Sequence, residues 1–177
     1  MKKLLIVVDM QNDFVDGSLG TPEAVAIIPN VIEKINNWDG DIIATLDTHS
    51  NDYLNTNEGK CLPVEHCIEN TYGHRINTRV QKALFESKDS TSYVQKRTFG
   101  STALPELIRG ENIEYIELVG LCTDICVVSN ALLLKANYPE IHIAVDASCC
   151  AGVTSESHKA ALLTMKMCQI DIIGESL

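Results

Sequence analysis

Lys3-Leu4-Leu5-Ile6-Val7-Val8-Asp9 opens the chain with an apolar run that stops on a carboxylate, and two later stretches repeat the form. Tyr93-Val94-Gln95 leads to Lys96, and Ile116-Glu117-Leu118-Val119-Gly120 lies shortly before Cys126. Runs of this kind read as strands of a parallel sheet buried on both faces. Open α/β sheets build their sites at the carboxyl ends of such strands, so a carboxylate, an ammonium and a thiol are expected to converge on one crevice. A thiol beside a base, with a cation to favour the ionised forms, meets the requirement for covalent attack on a carbonyl.

Outward from these runs, strands and helical stretches alternate, the pattern of crossover units on a parallel sheet. Strands are predicted at 3–9, 41–47, 91–97, 114–120, 141–146 and 170–173. Helices are predicted at 29–38, 103–110, 124–136 and 155–168, with Thr123 or Asp124 capping the third and Thr154-Ser155-Glu156-Ser157 capping the fourth. A chain of 177 residues with 45% hydrophobic content can bury one substantial core, so 1–177 is expected to be a single domain.

The charge balance argues against several partners. Lys and Arg total 14 against 24 Asp and Glu, a formal charge of −10, so neither nucleic acid nor an anionic membrane surface is an expected partner. The run 4–8 is too short for a signal peptide or a spanning helix, which points to a cytoplasmic protein. Seven cysteines, an odd number without a secretion signal, are then expected to be reduced.

From Thr48 to about Arg75 the alternation fails, and polar and turn-forming residues dominate. Long loops in compact domains are usually functional. This one holds three of the five histidines, and Asp47-Thr48-His49 sets a carboxylate and an imidazole two residues apart. A carboxylate with imidazoles suits zinc, iron or manganese. The alternative is that Asp47 caps a turn and the histidines are solvated. Cys126, placed in the first turn of its helix, lies where the macrodipole favours a thiolate and an oxyanion. It also reads as a buried structural cysteine, or as half of a redox pair with Cys122.

Asp9-Met10-Gln11-Asn12-Asp13-Phe14, Lys96, and Gly120-Leu121-Cys122-Thr123-Asp124-Ile125-Cys126-Val127 together resemble the isochorismatase-like cysteine hydrolases, and within them the nicotinamidase or pyrazinamidase branch. The resemblance implies a six-stranded parallel sheet of order 3-2-1-4-5-6 in a three-layer α/β/α sandwich. It implies Asp9 as general base, Lys96 as cationic partner and Cys126 as nucleophile. The oxyanion would lie between the backbone N–H groups of Cys122 and Cys126, after a cis Leu121–Cys122 bond. It also implies one divalent metal, zinc first and iron or manganese next, held by Asp47, His49 and His66, with Glu58 a better fourth ligand than Glu65. The metal would hold the pyridine nitrogen of a small amide substrate. Phe14 matches a ring contact, Leu62 stands where a tryptophan is frequent, Thr48 stands where a large aromatic is frequent, and Phe99 is the nearby replacement for stacking surface. A homo-oligomer is expected. Two further readings remain: a related cysteine hydrolase acting on another small amide, and a non-enzymatic redox or small-ligand-binding module built on Cys122 and Cys126. No Gly-x-Gly-x-x-Gly follows the first strand, which disfavours phosphate cradling.

Overall fold

The structure, a computed structural model, describes residues 2–88 and 90–174. Met1, Asp89, Glu175, Ser176 and Leu177, which the expected domain includes, lie outside the described residues. Strand Lys2–Val8 (β1) is followed by helices Asn12–Val15 (α1), Pro22–Ala26 (α2) and Ile28–Asn37 (α3), and then by Asp41–Asp47 (β2). A long excursion carries the helix Asn57–Cys61 (α4) and ends in Thr78–Phe85 (α5), before Thr91–Lys96 (β3) and Ala103–Leu107 (α6). Ile113–Leu121 (β4), a π-helical turn Thr123–Val127, Val128–Asn137 (α7), His142–Ala151 (β5), Ser155–Met167 (α8) and Asp171–Ile173 (β6) complete the order. All strand pairs are parallel, in the order β3-β2-β1-β4-β5-β6.

Alternation along β1 makes this a three-layer structure. Leu5 and Val7 pack on one face with Val31 and Ile35 of α3 and Val80 and Leu84 of α5. Leu4, Ile6 and Val8 pack on the other with Leu104 of α6, Leu134 of α7, and Leu162 and Met165 of α8. Each fully buried aliphatic contributes about 1.5–3 kcal/mol, so β1, covered on both sides, anchors the sheet. The sheet order reverses between β1 and β4, which opens the crevice at their carboxyl ends.

Six strands and four helices lie where the sequence predicts them, with informative differences. Strand β5 runs to Ala151 rather than stopping at Asp146. Its pairing with β4 jumps from Leu118↔Val145 to Gly120↔Cys150, so the intervening residues bulge. Asp146 fixes the bulge: its carboxylate accepts the Ser148 N–H at 3.0 Å and hydroxyl at 2.6 Å and pairs with Lys34 at 2.8 Å. Polar Asp146 and Ser148 interrupt the apolar run without ending the strand. Thr123 and Asp124 do not cap the helix that follows. Cys122 holds the N-cap position without a side-chain bond, and the chain enters through the π-helical turn. Thr154 does cap α8, in a reciprocal pair with Ser157. Helices α1, α2, α4 and α5 have no counterpart in the prediction. Among the described residues no helix is long and apolar enough to cross a membrane.

Gly120 sets how closely β4 approaches β1 at the crevice. Its φ is +118°, and a Cβ there would lie 2.1 Å from the Val8 carbonyl oxygen. Gly120→Ala is expected to destabilise the fold by about 3 kcal/mol, from left-handed strain together with backbone overlap. Urea unfolding checks this, and an unchanged midpoint would contradict the close approach.

Candidate active site

Four strand ends bring the groups of the first cluster together. Asp9 follows β1 with φ at +46°, a conformation that non-glycine residues rarely adopt and that clusters at functional sites. Its backbone N–H meets the Thr45 carbonyl at 3.2 Å, and the Thr45 hydroxyl donates to its Oδ1 at 2.6 Å. Lys96 ends β3 in register with Asp47 of β2. Its Nζ lies 2.6 Å from Asp9 Oδ2, 3.4 Å from Asp47 Oδ1 and 3.4 Å from Cys126 Sγ. All four residues are buried: Asp9 is 0%, Asp47 3%, Lys96 4% and Cys126 4% exposed. A surface role for Lys96 is thereby excluded. Cys126 lies in the π-helical turn, where Asn130 donates to its carbonyl at 2.8 Å. The Leu121–Cys122 peptide bond is cis.

The electrostatics separate the two carboxylates. Burial raises the Asp47 pKa, but hydrogen bonds from His49 and His66 and the charge of Lys96 outweigh it and hold the group well below the usual range. Asp9, fully buried and facing the negative charge of Asp47, is pushed up even with Lys96 beside it. Two carboxylates share one ammonium, so the one with fewer donors is the better proton acceptor. Burial opposes the charge of Lys96, yet the facing carboxylates of Asp9 and Asp47 push its pKa up, and the ammonium is retained. Burial and the Asp9 charge push the Cys126 thiol well up, so its resting form is the neutral thiol. Cys122 is also pushed up, to about 12, by burial and by Asp124. A redox pair needs a thiol lowered toward neutrality, and neither shows that.

A second cluster adjoins the first. One ligand atom each from Asp47, His49, Glu58 and His66 lies within 4.8 Å of the others. The His66 Nδ1 lies 2.8 Å from the Val64 carbonyl, which only accepts, so Nδ1 carries a proton and Nε2 is the ring atom that faces Asp47 and Glu58. Two imidazole nitrogens and two carboxylate oxygens at this spacing fit a zinc, iron or manganese ion. Glu65 is exposed and outside the cluster, whereas Glu58 on α4 belongs to it. Tyr53, which the sequence reading did not single out, is 0% exposed and lies edge-on to both His49 and His66 at 4.7 and 4.9 Å. Its hydroxyl donates to the Leu62 carbonyl at 3.0 Å.

Both clusters open onto one cavity of about 810 Å³ whose lining includes Phe14, Leu62, Phe99, Ile125, Val153 and Cys122. Phe14 also packs against the His66 ring at 5.5 Å. Thr123 and Asp124 brace the turn that carries Cys126: the Thr123 hydroxyl lies 2.8 Å from His158 Nδ1, and the Asp124 carboxylate accepts the Val153 N–H at 3.1 Å.

Residues 3–174 match the Isochorismatase domain model. The chain belongs to the isochorismatase family. A nicotinamidase of Schizosaccharomyces pombe is 27% identical over 97% of this chain and 92% of its own length. An isochorismatase family protein of Bacillus subtilis is 32% identical over 92% of this chain and 93% of its own. The crystal structure of a Pyrococcus horikoshii pyrazinamidase in complex with zinc superposes with a TM-score of 0.83 at 26% identity, covering 99% of this chain and all of that one. Within the isochorismatase family, then, similarity extends over almost the whole chain.

Removing Lys96 exposes the balance among its partners. The raised Asp9 pKa means that its folded form binds a proton more readily than the unfolded one, and loss of the ammonium increases that shift. A group raised in the folded state favours folding below its unfolded pKa and loses that contribution as pH rises through the folded value. Lys96→Met is therefore expected to cost about 3–5 kcal/mol near neutrality, where buried carboxylates stand uncompensated, and less near pH 5. Denaturant unfolding at the two pH values checks this; an equal cost at both contradicts it.

Proposed function

We propose that this chain hydrolyses nicotinamide to nicotinic acid and ammonia through a thioester on Cys126. It is a hydrolase of amide carbon–nitrogen bonds, a class supported by its family and its full-length relatives. One observation carries the finer reading: Lys96 ties the thiol and Asp9 to Asp47, so a covalent-catalysis trio and a four-donor metal cluster share a single cavity.

In the proposed sequence Asp9 takes the thiol proton of Cys126 as sulfur attacks the amide carbon. Lys96 holds the carboxylate and the developing thiolate, and backbone N–H groups of Cys122 and Cys126 receive the oxyanion. Asp9 returns the proton to the amide nitrogen, the C–N bond breaks, ammonia leaves and the thioester remains. A water then gives a proton to Asp9 and attacks the thioester carbon. The C–S bond breaks, and the Cys126 sulfur recovers its proton from Asp9. A divalent ion held by Asp47, His49, Glu58 and His66, zinc the first candidate, supplies a Lewis-acid anchor for the pyridine nitrogen when bound. Phe14 and Phe99 flank the ring and Leu62 closes its apolar side, a leaner cage than several aromatics would make. With so few aromatic contacts, the ring's orientation would depend on the residues at the donor cluster.

Cys126→Ala is expected to reduce kcat at least about 10⁴-fold, and Cys122→Ala much less, because only the Cys122 backbone is used. Ammonia release from both proteins checks this; retained turnover without Cys126 removes the thioester. Nicotinamide is also expected to exceed benzamide, which lacks the ring nitrogen, at least about 100-fold in kcat/KM, an advantage lost on chelation or in His49→Ala. Equal turnover of both amides by metal-loaded protein would leave only a cysteine hydrolase of another small amide.

A further inference from the structure

Metal donors that sit on a long excursion need something to hold them. Asp47 ends β2, whereas His49, Glu58 and His66 lie on the segment between β2 and α5. The β1–β2 ladder ends at Val7↔Ala44, while β2–β3 continues to Asp47↔Lys96, so on the β1 side Asp47 has outrun its neighbouring strand. The side chain of Gln11 takes the strand's place. Its Oε1 accepts the Asp47 N–H at 2.7 Å, and its Nε2 donates to the Asp47 carbonyl and the His74 carbonyl, both at 2.8 Å. Gln11 is 0% exposed, and its backbone pairs with Ile76 at the far end of the excursion.

Two residues on, Asp13 does the equivalent for the other half of the donor set. Its Oδ2 accepts the Cys67 N–H at 2.8 Å, immediately after His66. The Cys67 carbonyl accepts the His49 N–H at 3.0 Å, so this one residue links the backbones of both histidines. Cys67 has φ at +47°, a conformation that needs outside support in a residue with a Cβ. The Asp13 carboxylate also fills the space that a Cβ on Gly73 would take, with atoms as close as 1.9 Å to that position. None of these contacts reaches the thiol or the substrate carbonyl.

We propose that Gln11 and Asp13 are positioning residues for the metal: they clamp the excursion to the turn after β1 and preorganise Asp47, His49 and His66 before an ion binds. The inference rests on the reading that these side chains bind a metal. Groups that orient metal ligands typically change affinity about 10–100-fold when removed.

The test uses the full chain, stripped of metal and titrated with zinc against a chromophoric chelator, and separately with cobalt(II) followed by its visible bands. Gln11→Met and Asp13→Ala are expected to weaken zinc binding about 10–100-fold and to alter the cobalt bands. Asp13→Asn keeps an acceptor oxygen for the Cys67 N–H and should bind zinc as the unaltered chain does. A general loss of packing would lower thermal stability without this recovery. Unchanged zinc affinity in folded Gln11→Met and Asp13→Ala, alongside loss of binding in His49→Ala, overturns the clamp while leaving the metal reading intact. Unchanged affinity in His49→Ala overturns both. Should Gln11→Met fail to fold, the contrast between Asp13→Ala and Asp13→Asn decides the matter.

Discussion

One buried ammonium governs this site. Lys96 stands against Asp9, Asp47 and Cys126, none of which water solvates effectively. A carboxylate buried alone would be neutralised, and two facing each other would repel. With Lys96 between them, Asp47 stays ionised and Asp9 is left as the carboxyl whose pKa is raised. The arrangement follows from the sheet: Asp47 and Lys96 are register partners across β2 and β3, and Asp9 emerges from the adjacent β1. Register, once set by apolar residues on both faces, delivers the charges to one place.

Asp47 belongs to both clusters. One of its oxygens faces Lys96 and the other lies 2.9 Å from His49 Nε2, so the proposed reacting trio and the candidate metal donors meet at a single carboxylate. In the proposed reaction a substrate anchored at the donor cluster would present its carbonyl side to Cys126. Phe14 is buried, whereas Leu62 and Phe99 line the same cavity from exposed positions, so in the proposed reaction the orientation of a ring would fall chiefly to polar contacts. Thr123 and Asp124 tie the turn carrying Cys126 to His158 and to Val153 on the cavity wall, so the proposed nucleophile is braced by two side-chain contacts.

How much of this was legible in the sequence depended on where each partner lay along the chain. Strands buried on both faces announce themselves as apolar runs, and the residues ending those runs, Asp9, Asp47 and Lys96, were legible for that reason. Asp47-Thr48-His49 and His66 were readable as ligand-type side chains, and Glu58 and Glu65 could be ranked only through the family resemblance. The continuation of β5 was hidden because Asp146 and Ser148 form a bulge inside the strand. Gln11 and Asp13, quoted only as part of a motif, and Thr45 were given no role because their partners are 36 to 63 residues away, several of them backbone groups that carry no side-chain signature. Tyr53 was missed for a related reason: it buries itself against two histidines from within a stretch whose polarity suggested exposure. Thr123 and Asp124 were read as caps because local chemistry permits it, but the fold turned them toward α8 and its preceding loop.

The central claim is that the Cys126 sulfur attacks a carbonyl carbon placed between it and the metal cluster. Pyridine-3-carboxaldehyde, labelled with carbon-13 at the aldehyde, places such a carbon in the site without a leaving group. NMR of its complex with the full chain should show the label converted to a tetrahedral hemithioacetal, with no such signal in Cys126→Ala. A bound aldehyde that stays trigonal or only hydrated beside the intact thiol, or a hemithioacetal signal that persists without Cys126, would contradict the account.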